Sequence, residues 1–368
     1  MMRQGDIFSC SSTNEDFEVG AELGRGGFGI VFNCSRMSDT REFVCKVAVQ
    51  DDELRNKKIK NEHRILRDLE KKGIPNVVRA VSLASFDNGI STFPVLVMEK
   101  VIGKNMNSLI KSPQSSDLVK EMLVVIGESI IQIHEAGYIH RDLSPDNIMV
   151  EDDGNGGYNI TIIDFGIAAV KEDSQTFALT TSVAMKPFWA PPEQAKGTIS
   201  IGNDIFGLGA IGYYLLIGSE KCRKDSQNAI TPPYNPSNHL VKNSLQTEHL
   251  FDVITKSTQE KRRDRFATMS DFVTALKGGR PAEDFPRFIV DGKAIALKPE
   301  INSWTIGRKG YGSDIQITEP IPGGAFISRT HVNVTRNGPC NFKIEDIGTK
   351  RLTLGYIRNR MPTFYIEG

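Results

Sequence analysis

Apolar and polar residues alternate between positions 17 and 49, in FEVGAEL, IVFNCSR and REFVCKVAV, with glycines and polar residues between the runs. A period of two predicts three half-buried strands joined by turns. From 53 to 72 the period lengthens, and Ile59, Glu62, Leu66 and Leu69 fall on one helical face, so a carboxylate points inward among apolar side chains. Residues 117 to 136 predict a second amphipathic helix, with Leu118, Met122, Val125, Ile126, Ile130 and Ile133 in phase. Helical patterning dominates from there to about 276, broken by polar and proline-rich stretches at 171–192 and 225–239. KGGRPAEDFP at 277–286 collects glycine, proline and charge and predicts a linker. Beyond it, RFIV, AIALK, SWTIG, DIQIT, THVNVT and FKIED return to short alternation, the pattern of an all-β unit.

The 368 residues are enough for two domains. Lys plus Arg and Asp plus Glu each number 45, which argues against a generally electropositive nucleic-acid binder. Five cysteines (Cys10, Cys34, Cys45, Cys222 and Cys340) form no C-x-x-C pair, so a reducing compartment is expected and a disulfide framework or zinc site is not. The N-terminus lacks the apolar core of a secretory signal. The apolar runs at 123–133 and 208–218 fall short of the roughly 20 residues that cross a bilayer. These features predict a soluble cytoplasmic protein with neither a membrane nor a nucleic-acid partner.

Candidate chemistry begins with GRGGFGIV, where Gly24, Gly26, Gly29 and Val31 join two strands. Glycines let backbone N–H groups approach phosphate oxygens, although such a hairpin alone is more often an ordinary turn. Lys46 sits inside the apolar strand FVCKVAV, where its stem either snorkels to water or its ammonium meets an anion. Inward-facing Glu62 is the natural counterpart. HRDLSPDNIMV at 140–150 and IIDFG at 162–166 then supply Asp142, Asn147 and Asp164, hard oxygen donors of the kind Mg²⁺ accepts beside substrate phosphates.

The ordered set GxGxxGxV, Lys46, Glu62, HRDLxxxN and DFG resembles the eukaryotic-type (Hanks-type) protein kinase family. WAPPEQ at 189–194 resembles its A-P-E segment, NDIFGLG at 203–209 its D-x-W-S-x-G helix, and Arg265 its late arginine that pairs with the A-P-E glutamate, here Glu193. The resemblance implies a bilobal α+β kinase fold over 17–276, with a β-rich N-lobe and a helical C-lobe. It leaves 1–16 as an N-terminal extension and 287–368 as an all-β sandwich after the 277–286 linker. It implies ATP as cofactor with Mg²⁺, Mn²⁺ being an alternative ion, and protein substrates. Lys46 would hold the α and β phosphates, Glu62 would fix Lys46, and Asp142 would accept or orient the substrate hydroxyl proton. Asn147 and Asp164 would bind the metal, and Met98 would be the gatekeeper before the adenine-binding segment Glu99 to Val101. RDLSPDN is nearer the Ser/Thr pattern than the tyrosine one. A pseudokinase scaffold and a small-molecule phosphotransferase are the rival readings. The complete set of polar residues disfavours the first and the A-P-E segment the second.

Two positions depart from the family pattern. Ser144 stands where a catalytic-loop lysine is usual, and Lys186 where a threonine is usual. The change reads either as two unrelated losses or as an exchange that moves the ammonium to position 186, a combination similar to some bacterial members. Arg141 beside Asp142 implies a phosphate on the following loop, which offers Ser174, Thr176, Thr180, Thr181 and Ser182. The triplet 180–182 is the expected autophosphorylation site.

In the C-terminal part, TIGRKGYGSDIQIT, ISRTHVNV and EDIGTKRLTLG resemble the forkhead-associated family, which binds phosphothreonine segments. The resemblance implies a phosphopeptide site made of Arg308, Ser328, Arg329 and Thr349, with His331 structural. Arg351, Leu352 and Thr353 replace the family's N-G-T, so its peptide-gripping asparagine is missing.

Overall fold

The structure, a computed structural model, describes residues 2–27, 29–50, 52–170, 188–218, 231–240 and 245–279, and in the C-terminal part 287–290, 293–296, 303–308, 315–317, 332–338, 341–346, 353–358 and 362–367. The chain divides into two compact units, Met1–Gly278 and Gly279–Gly368.

The first unit opens with strands β1 (Ile7–Cys10), β2 (Glu15–Arg25), β3 (Gly29–Arg36), β4 (Glu42–Ala48), β5 (Ala80–Asp87) and β6 (Thr92–Glu99). They close into a barrel in the order β1-β2-β3-β4-β6-β5. Alternate side chains fill it: Phe8 stacks on Phe17 at 5.3 Å, and Phe17 meets Phe43 edge-on at 5.7 Å. Strand β1 lies in the segment that the sequence pattern left as an extension. Its inward residues are Phe8 and Cys10, too few to register as alternation, yet it pairs with β2 and bridges β5 at Ser9 and Ser85.

Between β4 and β5 runs helix α1 (Glu53–Lys71), started by Asp52, whose side chain accepts from Arg55 N at 2.8 Å. It buries Lys58, Ile59, Glu62, Ile65, Leu66 and Leu69.

The rest of the unit is built on α2 (Ser116–Glu135), α3 (Ile201–Ile217), α4 (Leu245–Ser257) and α5 (Met269–Leu276). Helix α3 is buried along nearly its whole length, as a helix apolar on nearly every face must be, with Asn203 and Asp204 its polar exceptions. Within the largely helical stretch that runs to about 276, residues 138–170 are short strands and loops. The strands are β8 (Tyr138–Ile139), β9 (Ile148–Asp152), β10 (Tyr158–Ile162) and β11 (Ala169–Val170), while β7 (Lys104–Asn105) precedes α2. They form the small sheets β10-β9-β7 and β11-β8. Pieces this short give no periodicity, but they brace the loops between them.

The second unit has β12 (Arg287–Val290), β13 (Lys293–Ala296), β14 (Ser303–Arg308), β15 (Ile315–Ile317), β16 (Val332–Gly338), β17 (Asn341–Asp346), β18 (Thr353–Arg358) and β19 (Pro362–Glu367). They make two four-stranded sheets, β13-β12-β19-β18 and β15-β14-β16-β17. Trp304 and Val334, paired across β14 and β16, are buried. Gly355 interrupts the β-forming run of β18, and β19 opens on Pro362, so neither stands out from the sequence.

Candidate active site

Lys46 enters the cleft from β4, where it pairs with Val31 of β3 and Leu96 of β6. Its Nζ lies 2.8 and 3.0 Å from the two Glu62 carboxylate oxygens and 2.7 Å from Asp164 Oδ1. Strand, helix and loop therefore converge on one ammonium. Burial alone would lower the Lys46 pKa, but the carboxylates of Asp164 and Glu62 outweigh it and hold the pKa above its ordinary range. The same ammonium holds the Asp164 carboxyl at about 2 against the opposing effect of burial. Glu62 moves upward because its burial and the nearby Asp164 charge exceed the help from Lys46. Glu62 Oε1 also accepts from Phe165 N at 3.1 Å, which ties α1 to the DFG segment.

Gly29 and Gly166 show why glycine is needed here. A Cβ at Gly29 would sit 3.0 Å from the Val47 carbonyl and 3.1 Å from Lys46 Cε. One at Gly166 would sit 3.0 Å from Asp164 Oδ1 and 3.2 Å from Lys46 Nζ. Gly26 N donates to Gly29 O at 2.9 Å and closes the hairpin that also contains Gly24.

Below the ammonium, Asn147 Nδ2 donates to Asp142 Oδ2 at 2.9 Å and to the Asp142 carbonyl at 2.7 Å. Asp142 thereby has a fixed direction. Arg141 and Asp164 adopt left-handed backbone conformations, φ 70° and 63°, which cost energy in residues other than glycine. Asp204 of α3 offsets this cost at Arg141. Its carboxylate accepts from His140 N at 2.9 Å and Arg141 N at 2.7 Å, and lies 2.8 Å from the His134 ring. The sequence motif contained Asp204 but assigned it no role. A carboxylate in the apolar run IFGLGAIGYYLLI was the available signal.

Glu193 receives a two-pronged contact from buried Arg265, at 2.5 and 2.9 Å. Gln194 Nε2 donates to the Arg141 carbonyl at 3.1 Å, linking this segment back to the catalytic loop. A further cation was missed by pattern: buried Lys58 on α1 lies within electrostatic reach of Arg141 and of its helix neighbour Arg55. Burial, then Arg141 and Arg55, push the Lys58 ammonium down to about 8.

Met98 is buried at the end of β6, and Glu99 N donates to the Arg79 carbonyl at 3.0 Å. Glu99 and Val101, together with Val77 to Arg79 and Ile102, line a cavity of about 280 Å³ beside the β9–β10 hairpin, which contributes Glu151, Asn159 and Thr161. That cavity is not lined by Lys46 or Asp164.

A divalent ion fits the donor set in chemical type. Asp164 Oδ1 is engaged by Lys46 and Gly166 N, and Asn147 uses its amide nitrogen on Asp142, which leaves one oxygen of each side chain for a hard cation. Among the described residues no cluster of three or more His, Cys, Asp or Glu could hold a metal by itself. Lys186 and the hydroxyls Ser174, Thr176, Thr180, Thr181 and Ser182 lie outside the described residues, as do Ser328, Arg329, His331 and Thr349. Arg308 ends β14.

The chain is 30% identical over 276 residues to a probable serine/threonine-protein kinase of Clostridium perfringens, covering 69% of this chain and 37% of that one. It is 26% identical over 276 residues to a probable serine/threonine-protein kinase of Corynebacterium efficiens, covering 71% and 41%. It therefore spans about two fifths of the length of these curated relatives. Among solved structures, the PknI kinase domain of Mycobacterium tuberculosis superimposes with a TM-score of 0.55 at 18% identity, over 76% of this chain and 99% of that one, which shows a shared fold. Residues 17–276 match the protein kinase domain model, and the chain belongs to that family.

Proposed function

We propose that residues 17–276 transfer the γ-phosphoryl group of ATP to serine or threonine hydroxyls of protein substrates. The observation that carries this reading is the joining of Lys46, Glu62 and Asp164 in one buried ion cluster, beside an Asp142 oriented by Asn147. Lys46 binds phosphate oxygens and Glu62 keeps it in place. Asp142 accepts or orients the proton of the attacking hydroxyl. Asn147 and Asp164 would hold Mg²⁺, which, when bound, neutralises phosphate charge. Lys186 takes over from the missing lysine at 144, and the hydroxyls at 180–182 are the autophosphorylation sites. The test is transfer of labelled phosphate from Mg-ATP to protein: Asp142→Asn should nearly abolish it while nucleotide still binds. Near-full transfer by that variant would refute the assignment.

For the second unit we infer phosphothreonine recognition through Arg308, Ser328, Arg329 and Thr349. Its two four-stranded sheets and the position of Arg308 at a strand end support this reading. Arg308→Ala with Ser328→Ala should remove binding of a phosphothreonine peptide in calorimetry, and unchanged affinity would discard it.

A further inference from the structure

Helix α1 turns five cations outward. Counting back from its end, Lys71, Arg67, Arg64, Lys60 and Lys57 fall at offsets 0, 4, 7, 11 and 14. At about 100° per residue these positions occupy roughly 80° of the helix surface. All five are exposed or half-exposed, opposite the face that buries Ile59, Glu62 and Leu66. Arg67 contacts Glu70 and the Ala80 carbonyl, and Arg64 contacts Asn61. Lys57, Lys60 and Lys71 have no partner among the described residues. The stripe is local, since residues 1–278 carry 32 Lys plus Arg against 36 Asp plus Glu.

Helix α2 presents the matching seam. Asp117, Glu121, Val124, Glu128, Ile131 and Glu135 fall at offsets 0, 4, 7, 11, 14 and 18, again within roughly 80°. The four acids are exposed and the two apolar residues half-buried. Laid antiparallel, the two seams share one register. Lys71 then faces Asp117, Arg67 faces Glu121 and Lys60 faces Glu128. The stems of Arg64 and Lys57 cover Val124 and Ile131, as long cationic side chains do on apolar surface. Glu128 would exchange its exposed contact with Lys277, and Lys120 flanks the seam. Only the end of the register brings like charges together, Glu53 against Glu135. The alternation of threes and fours is the spacing by which paired helices interlock.

We propose that this protein self-associates by docking α1 of one copy antiparallel on α2 of a second. The occupant is a second copy because the acidic seam on the page has the same offsets as the basic one. A single-stranded nucleic acid would favour aromatic stacking platforms between the cations, and a bilayer would favour exposed apolar residues; the five positions of the stripe have neither. Docking also braces α1 from outside, on the side away from Glu62.

Sedimentation velocity of the full-length protein at low ionic strength should show a concentration-dependent larger species that dissociates as salt is raised. Lys60→Glu with Lys71→Glu should raise the apparent dissociation constant by about tenfold or more, and so should Asp117→Lys with Glu128→Lys. An equimolar mixture of these two variants restores opposite charge in the same register and should associate again. Thermal melts matching wild type would establish that all of them are folded. A wild-type protein that stays monomeric, association indifferent to both charge reversals, or a mixture no better than either variant alone overturns the proposal.

Discussion

Lys46 and Asp164 are separated by 118 residues in the chain and by 2.7 Å in space, with Glu62 on the other side of the same ammonium. Two buried or half-buried carboxylates thus depend on one cation for compensation. Neither carboxylate contacts a second ammonium or guanidinium among the described residues.

Lys46→Met should therefore do more than remove a phosphate ligand. It leaves Glu62 and Asp164 in each other's field, so the Glu62 pKa should rise further and the α1 contact with the DFG segment should loosen. Breaking one partner out of a buried ion group costs about 3–5 kcal/mol. Phosphate transfer should fall by about a hundredfold or more. Denaturant titration and a transfer assay measure the two effects, and a variant of wild-type stability would show that the ion cluster contributes nothing to the fold.

Asp204 supports a strained backbone, since it accepts the N–H groups of both His140 and Arg141. Asp204→Ala should leave those donors buried and unpaired, lowering stability by about 3–5 kcal/mol. Asp204→Asn keeps one acceptor oxygen and should lose less. Equal losses in both variants, read by thermal denaturation, would mean that charge and not the count of acceptors matters.

The motifs were legible because phosphate chemistry fixes both residue type and order, and α1 was legible because four inward residues set its period. Glu62 could be read as facing inward, but its contact with Phe165 N could not, since at a separation of 103 residues no local periodicity joins them. Strand β1 was hidden because two inward side chains cannot establish alternation. The Arg55, Lys58 and Arg141 grouping was hidden for another reason: Lys58 lies in a run of charges, NKKIKNEHR, that looks like a solvated face.

Phe8 tests the role of β1. Its ring is 2% exposed and stacked on Phe17. Phe8→Ala should cost about 3–5 kcal/mol, as for any large aromatic lost from a packed core. A loss below about 1 kcal/mol in denaturant titration would place β1 outside the cooperative unit.

Lys58 gives a pH prediction whose sign follows from its burial. Its folded-state pKa is pushed from the ordinary 10.5 to about 8, by burial first and then by Arg141 and Arg55. Between pH 8 and 10.5 the unfolded chain binds the extra proton and the folded one does not, so stability rises with pH across that window. Below pH 8 the penalty for the buried ammonium is complete, and above 10.5 it vanishes. Lys58→Met should abolish this rise, which is on the order of 2 kcal/mol. A phosphate on the loop residues Thr180, Thr181 or Ser182, docked near Arg141, would add negative charge beside Lys58 to that of Asp52. It should lift the Lys58 pKa back towards its ordinary value, flattening the slope in wild type and changing nothing in the methionine variant. Denaturation midpoints at pH 7.5 and 10, for phosphorylated and phosphatase-treated forms of both proteins, measure this directly. If wild type keeps the same slope after phosphorylation, the loop phosphate does not bind at this group of cations.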